Sequence, residues 1–299
     1  MTAITLLDGS IGQELVKRKG AAPTPLWSTS VMLESPALVR EVHDAYFAAG
    51  ATVASTNTYA VHENRLERAG MADQQRTLIS AACDMAAAAR DGNGFGRVAG
   101  CFGPFLATYR PDLDPDPAMA APKFRAMAEM MGDAVDLYLV ETVSSLREAE
   151  GALAGLCGLG KPVWIAFSVR DDDGTSLRSG EPLASVLPLL DRFAVEAVLL
   201  NCSPPEAIEA GLAVLAGQPR PFGAYANGFK SVEPLKPGTT VDQLEHRSEL
   251  TPARYTEYVM SWIKQGASIV GGCCEISPAH MSAIHDRLLK DGYSVVALC

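Results

Sequence analysis

The sequence predicts an α/β protein, a single-domain (β/α)8 barrel of the TIM type spanning residues 1–299. Short apolar runs alternate with helix-like segments eight times, an order that demands parallel strands joined by helical crossovers. Eight such units close on themselves, and 299 residues, 48% of them hydrophobic, are an ordinary size for one such barrel. The chemistry-bearing polar residues also fall at strand ends instead of along the strands. An open doubly wound sheet is the runner-up; no repeat, low-complexity segment or linker divides the chain.

In order, Ile4-Thr5-Leu6-Leu7 is an apolar run stopped by Asp8-Gly9 and reads as the first strand. After a proline-broken loop containing Trp27, Ser35-Pro36 opens a helix through Ala48, ended by Gly50. Residues 51–56 form the next strand, with Asn57-Thr58-Tyr59 at its end, and an alanine-rich helix runs from about Asp73 to Arg90. The glycine-rich stretch 91–96 precedes a strand (97–101) instead of following one, so it reads as a turn and not as a dinucleotide fingerprint. The Pro- and Asp-rich loop 105–122 is long enough to suggest a role.

Helix 123–134 leads to strand 135–140, which delivers Glu141-Thr142. Helix 146–156, strand 163–168 and helix 183–193 follow, and strand 197–200 delivers Asn201-Cys202. Helix 206–216, strand 222–225, a second long loop (226–250) and helix 252–265 lead to the last strand, 267–270. That strand ends in Gly271-Gly272-Cys273-Cys274, and helix 278–289 closes the order.

Two stretches share one grammar. Val198 to Pro205 and Ser268 to Pro278 each run from apolar strand to thiol to a proline-opened helix. Buried cysteines are most often small core residues. A disulfide between neighbours is disfavoured, because consecutive Cα atoms lie about 3.8 Å apart and unstrained disulfides need about 4.4–6.8 Å. In a barrel, though, all strand carboxyl ends share one face, where active sites are built. Cys202, Cys273 and Cys274 then converge across some 70 positions, and three thiolates with a fourth position open are a catalytic zinc arrangement. His43, His62, His246, His280 and His285 are weak ligand candidates, His280 because its helix points it away from the mouth.

The net charge of -10 leaves no basic footprint for nucleic acid or anionic membrane, and no phosphate-binding glycine loop occurs. Seven cysteines at sparse positions, without Cys-x-x-Cys spacing, are no disulfide framework and suit a reducing compartment. No apolar run is long enough to cross a membrane, and Asp8 breaks any signal peptide, so the sequence predicts a soluble cytoplasmic protein.

Gly271-Gly272-Cys273-Cys274, Asn201-Cys202 and the opening Leu7-Asp8-Gly9-Ser10-Ile11-Gly12 resemble the homocysteine S-methyltransferase family over nearly the whole chain. The resemblance implies one homocysteine-binding barrel with Zn(2+) on Cys202, Cys273 and Cys274, transferring a methyl group from an onium donor to homocysteine to give methionine. It places Asp8 and Glu141 on the substrate's ammonium, where opposite charge is the physical reason. Gly9 has no side chain to keep its backbone from the carboxylate, and Asn57 and Thr58 are further mouth candidates.

Departures bear on the donor. Ala60 stands after Tyr59 where betaine-dependent members carry a second aromatic, which weakens a quaternary-ammonium cage. Tyr225-Ala226-Asn227-Gly228-Phe229 differs from the Tyr-Pro-Asn-Ser-Gly-Glu of many S-methylmethionine enzymes, and no Asp-x-His-x-x-Gly cobalamin motif is present. A sulfonium such as S-methylmethionine is the favoured donor. The alternatives are betaine, a corrinoid carried by another protein, or a non-enzymatic zinc- or thiol-sensing barrel. Loop 226–250, with Phe229 and Glu233, is a candidate donor lid or subunit contact, and homo-oligomerisation stays open.

Overall fold

The computed structural model describes residues 2–20, 26–235 and 241–298. Its strands are β1 (Ala3–Leu6), β2 (Val53–Ser55), β3 (Arg97–Phe102), β4 (Leu137–Val143), β5 (Val163–Phe167), β6 (Ala197–Asn201), β7 (Phe222–Tyr225), β8 (Ile269–Val270) and β9 (Ser294–Val296). All pair in parallel, in the order β2-β3-β4-β5-β6-β7-β8-β1-β9. The ring closes just past β1, where Leu7 bridges Val53. There Asp8 N donates to Val53 O at 3.0 Å and Thr52 N to Leu6 O at 2.7 Å.

Strand periodicity decides what faces the mouth. Leu137 and Leu139 of β4, Ala197 and Leu199 of β6, Ala99 of β3 and Val53 of β2 pack inside the ring with Trp164 and Ile269. Their alternates, such as Val140, Val198, Leu200 and Val98, pack outward against the helices. Extending the inward set by two residues places Glu141, Asn201, Cys101 and Ser55 at the carboxyl ends.

The order departs from the expected eight strands in one place. β9 lies along β1 (Ala3 opposite Ser294, Thr5 opposite Val296) on the side of β2. Thr52 Oγ1 donates to Val296 O at 2.8 Å, and Leu298 N donates to Thr5 Oγ1 at 3.1 Å. Leu298 packs against the interior cluster, so the end of the chain fills the gap between β1 and β2 at the face opposite the thiols.

The helices Ile11–Lys19, Ser28–Glu34 and Glu63–Arg68 also lie where the sequence suggests only loop. Loop 105–122 is shorter than expected. A helix begins at Pro117, with the Asp116 carboxylate accepting from Ala118 N at 2.9 Å, and Pro122 sits inside it. No helix among the described residues is long and apolar enough to cross a membrane.

Candidate active site

The segments leaving β6 and β8 bring Cys202, Cys273 and Cys274 together, with all three sulfurs within 4.8 Å of one another. No other group of metal-binding side chains converges in this way among the described residues. The approach depends on glycine. A Cβ on Gly271 would lie 2.6 Å from the Leu7 Cβ, and one on Gly272 would lie 2.2 Å from the Ile276 side chain. Tyr255, from the helix Pro252–Lys264, ties the two strand ends together by donating to Gly271 O at 2.7 Å and accepting from Ala226 N at 3.0 Å.

The expectation of unbonded thiols needs one correction. Cys202 and Cys273 form a disulfide, with Cα atoms 5.8 Å apart. The cause is the convergence itself, since two thiols delivered to one metal-sized volume stand within bonding reach of each other. Cys83, Cys101, Cys157 and Cys274 are free, and Cys299 lies outside the described residues. Burial, followed by the negative charges of Glu275 and Glu141, pushes the Cys274 thiol up to about 12. A cation at the cluster would reverse that balance.

Cys202 sits at φ 50°, a left-handed conformation unusual for a side-chain-bearing residue. Its carbonyl is held by Arg178 Nη2 at 3.2 Å and Ser168 Oγ at 3.3 Å. Arg178 is almost wholly buried and also pairs with Asp171 at 2.7 Å. Thr142, at φ 64°, forms the irregularity in β4 that aims Glu141 inward. Asn201 stabilises this turn: its Oδ1 accepts from Thr142 N at 2.9 Å and its Nδ2 donates to Thr142 Oγ1 at 3.1 Å. The residue before the first thiol is thus what shapes the Glu141 strand end.

Asp8 is buried and Glu141 half-buried, and neither is ion-paired to a cation among the described residues. Asp8 accepts from Ser55 N at 2.6 Å and Ser55 Oγ at 3.0 Å. Burial outweighs those bonds and pushes its pKa to about 8, with nearby Glu141 adding to the rise. Glu141 accepts from Cys101 Sγ at 2.7 Å and Tyr225 Oη at 3.2 Å, and burial raises it as well. Both acids line one cavity, and burial keeps each carboxyl above its ordinary pKa.

The other candidates divide. Gly9 and Asn57 line the cavity, while Thr58 does not. The Thr58 hydroxyl donates to Cys101 O at 2.6 Å and is buried in the wall, so it shapes the site without facing it. Gly9 has a packing reason beside the one expected. Its missing Cβ would meet Ile276 O at 2.3 Å and the Tyr46 ring at 2.7 Å, so its smallness serves the packing of the Cys274–Ile276 turn.

The cavity measures about 170 Å³, and the thiols, Asp8 and Glu141 share it with Trp27, Tyr59, Tyr109 and Arg65. Tyr59 packs edge-on to Trp27 at 6.4 Å, and Arg178 covers the Tyr109 ring at 4.7 Å. Ala60 is also in the lining, but aromatic faces come from two loops where the sequence gives no spacing signal. The described part of loop 226–250 lies over the thiols. Phe229, Val232 and Leu244 are buried against Cys202 and Cys274, and Leu235 and Val241 line the cavity. Asp171 anchors it, accepting from Ser231 Oγ at 2.8 Å and Val232 N at 2.9 Å. Glu233 is exposed and reaches Arg178 Nη1 at 3.4 Å.

None of the histidines joins the cluster. His280 Nδ1 completes the capping box of the helix Pro278–Lys290 with Ser277, and its Nε2 meets Leu250 O at 3.1 Å. His62 bonds Gly103 O at 2.9 Å, and His246 faces Glu275 at 3.1 Å.

A closed parallel barrel with a thiol cluster and paired acids in a cavity at its carboxyl-end mouth has the architecture of a barrel enzyme with a small-molecule site. The homocysteine S-methyltransferase family model matches residues 5–288. Homocysteine S-methyltransferase of Escherichia coli is 30% identical over 95% of both chains, and selenocysteine Se-methyltransferase of Brassica oleracea is 26% identical over 95% of this chain and 89% of its own. The metallated form of the Escherichia coli homocysteine methyltransferase MmuM superposes with a TM-score of 0.81 at 29% identity, covering 95% of this chain and 96% of that one. Its oxidized form gives 0.82 at the same identity and coverage. The chain belongs to the homocysteine S-methyltransferase family.

Proposed function

We propose that the chain transfers a methyl group from a sulfonium donor of the S-methylmethionine type to the sulfur of homocysteine, with zinc on Cys202, Cys273 and Cys274. The observation that carries this reading is a cluster of three sulfurs within 4.8 Å beside two carboxylates that form no ion pair among the described residues. The donor set fits zinc. Thiolates about 2.3 Å from a tetrahedral ion stand close together, and the cluster has no competing hard ligand once the Cys202–Cys273 bond is reduced. When bound, zinc favours the thiolate of a coordinated substrate sulfur and leaves it electron-rich.

The chain's own residues do the rest. Asp8 and Glu141 take the ammonium group, which favours their ionised forms against the effect of burial and fixes the substrate's orientation. Trp27, Tyr59 and Tyr109 offer ring faces to the positive sulfur of the donor. Phe229, Val232 and Leu235 cover the thiols and exclude water. In the transfer, the homocysteine sulfur attacks the methyl carbon. The carbon–sulfonium bond breaks with its electron pair going to the donor sulfur, and the donor leaves as a neutral thioether. With S-methylmethionine both products are methionine. The whole chain acts as one homocysteine-binding domain, and a reducing cytoplasm is the compartment that keeps the three thiols open.

Methionine formation from homocysteine is measured in parallel with S-methylmethionine, S-adenosylmethionine, betaine and methylcobalamin. Turnover with a sulfonium is expected. Turnover with betaine alone would assign the aromatic wall to a quaternary ammonium and overturn the donor, and turnover with none would leave the sensing reading standing. Reduced protein prepared without chelator is expected to carry about one zinc per chain. Full metal retention after all three cysteines become serine would overturn the zinc site.

A further inference from the structure

Arg65 is the one charged cavity-lining side chain with no part in the reading above. It follows the end of β2 by ten residues, on the helix Glu63–Arg68, and turns back into the cavity lined by Tyr59, Thr108 and Glu141. Its Nη2 donates to two neutral acceptors, Pro104 O at 3.2 Å and Thr108 Oγ1 at 3.4 Å. Nε is buried without a partner among the described residues. No carboxylate forms an ion pair with Arg65 among those residues, in contrast to the other interior guanidinium, Arg178, which pairs with Asp171 at 2.7 Å. Burial pushes the Arg65 guanidinium below its ordinary pKa, and Glu148, which acts on it through space without an ion pair, does not offset that loss.

A desolvated guanidinium that lines a ligand cavity with no carboxylate ion-paired to it among the described residues is an arrangement that a ligand anion completes. Its position says which part of a ligand that is. Arg65 covers the Tyr59 ring at 5.6 Å, and the Tyr59 hydroxyl shares Thr108 Oγ1 with it at 2.9 Å, so an anion here lies beside the aromatic wall. The cavity therefore holds both signs: the Asp8 and Glu141 carboxylates, and one cation at Arg65. That pattern matches α-amino acids, which carry an ammonium and a carboxylate, and not an onium compound lacking an acid group.

We propose that Arg65, with Thr108, binds the carboxylate of an amino-acid substrate, and through it selects a carboxylate-bearing methyl donor. The adjacency to Tyr59 puts the donor's carboxylate first and that of homocysteine second. The inference rests on the site reading above, that amino-acid substrates occupy this cavity, and it adds the residue that tells them from their decarboxylated forms.

Binding is the readout, so the test does not depend on turnover. Calorimetric Kd values are measured for S-methylmethionine against its decarboxylated analogue, aminopropyl dimethylsulfonium, and for homocysteine against aminopropanethiol. Each pair is measured on reduced wild-type protein, Arg65→Met and Arg65→Lys, with thermal melts reporting folding. In the wild type the carboxylated donor is expected to bind about 10–100-fold more tightly than its analogue. In Arg65→Met that ratio should collapse to within a few-fold, with Arg65→Lys between because it keeps the charge but not the fork. Collapse in the donor pair assigns the donor's carboxylate, and collapse only in the thiol pair assigns that of homocysteine. Ratios unchanged by Arg65→Met in both pairs, in protein that melts as a folded chain, would overturn the inference. If the wild type binds neither carboxylated compound, the reading of the cavity fails and the inference fails with it; binding with an unchanged ratio removes only Arg65.

Discussion

The barrel interior and the barrel mouth obey different rules. Inside the ring, Leu137, Leu139, Ala197, Leu199 and Trp164 make apolar contacts on regular alternation, and strands β2 to β8 each supply at least one residue by simple periodicity. At the mouth, Trp27, Tyr109, Thr142 and Cys202 all line the cavity with positive φ, although none is glycine. The same few residues surround two acids and a guanidinium that form no ion pairs among the described residues, and three sulfurs crowded together. The interior contributes stability; the mouth gives some of it up for geometry and charge that only a ligand completes. Substitutions in the two regions should therefore separate stability from function.

The largest effect should come from the thiols. Cys274→Ser keeps the shape of the turn but removes a soft ligand, so metal content should fall to a small fraction of one per chain. Methionine formation should fall by on the order of 10³-fold or more, while the melting temperature of the metal-free protein changes little. Metal analysis beside a thermal melt checks both halves. A large loss of apo stability would mean that the turn, and not the metal, depends on Cys274. Trp164→Ala is the opposite case. It empties part of the interior without touching the cavity lining and should cost about 3–5 kcal/mol by denaturant titration, with metal stoichiometry retained in the folded fraction.

Asp8→Asn sharpens the contrast because its two effects have opposite signs. The Asp8 carboxyl is raised from 3.8 to about 8 in the folded chain. Between those values the unfolded state has released a proton that the folded state keeps. Stability is thus fully present below about 3.8 and falls as pH rises toward 8. Asparagine keeps an oxygen for Ser55 N without the charge. The variant should be more stable than the wild type by about 1–3 kcal/mol near pH 8, with the difference vanishing near pH 4. Its affinity for homocysteine should drop by about tenfold or more. Melts across pH and one binding titration decide it, and equal stability at every pH would mean that Asp8 already has a cation.

How much of this was legible in the sequence follows the same division. Alternation of apolar residues gives β3 to β7 and their order, because an inward Leu199 or Leu139 has no other explanation. The repeated strand–thiol–proline grammar gives the three cysteines, and barrel topology brings them together. What stays hidden is what depends on contacts between distant loops. Tyr109 and Trp27 meet the cavity from segments with no periodicity, and Arg65 reads as a surface helix charge. Thr58 has the position of a mouth residue, but hydrogen bonding to Cys101 O turns it into the wall. β9 is three half-buried residues after the last helix, too short for an alternation signal, and only its pairing with β1 identifies it. The disulfide is hidden for a related reason: spacing of 71 residues says nothing until the fold sets the Cα atoms 5.8 Å apart.

The smallest effect should come from His43, which lies outside both regions and tests whether buried, unpaired polarity is peculiar to the mouth. It is fully buried on the helix Pro36–Ala48, and neither ring nitrogen has a partner among the described residues. Burial lowers its pKa from 6.5 to about 4, with Arg40 assisting and Asp44 opposing. Above pH 6.5 neither the folded nor the unfolded chain protonates this ring, and its contribution is constant. As pH falls from 6.5 toward 4 the unfolded chain takes a proton that the folded chain refuses, and stability is lost by up to about 3 kcal/mol. His43 does not line the cavity at the mouth, so a ligand bound there should not restore the loss. His43→Leu should change stability by no more than about 1 kcal/mol at pH 7.5, since an unpaired polar ring gives way to an apolar side chain. Its advantage over the wild type should then widen as pH falls toward 4.5. His62, lowered to about 3 by burial, titrates in the same direction and keeps part of the acid slope in the variant. Melting curves at pH 7.5, 6 and 4.5, in one ionic strength, measure the difference. A constant offset between the two proteins would mean that His43 protonates as freely folded as unfolded, and that its burial carries no cost of the kind seen at Asp8.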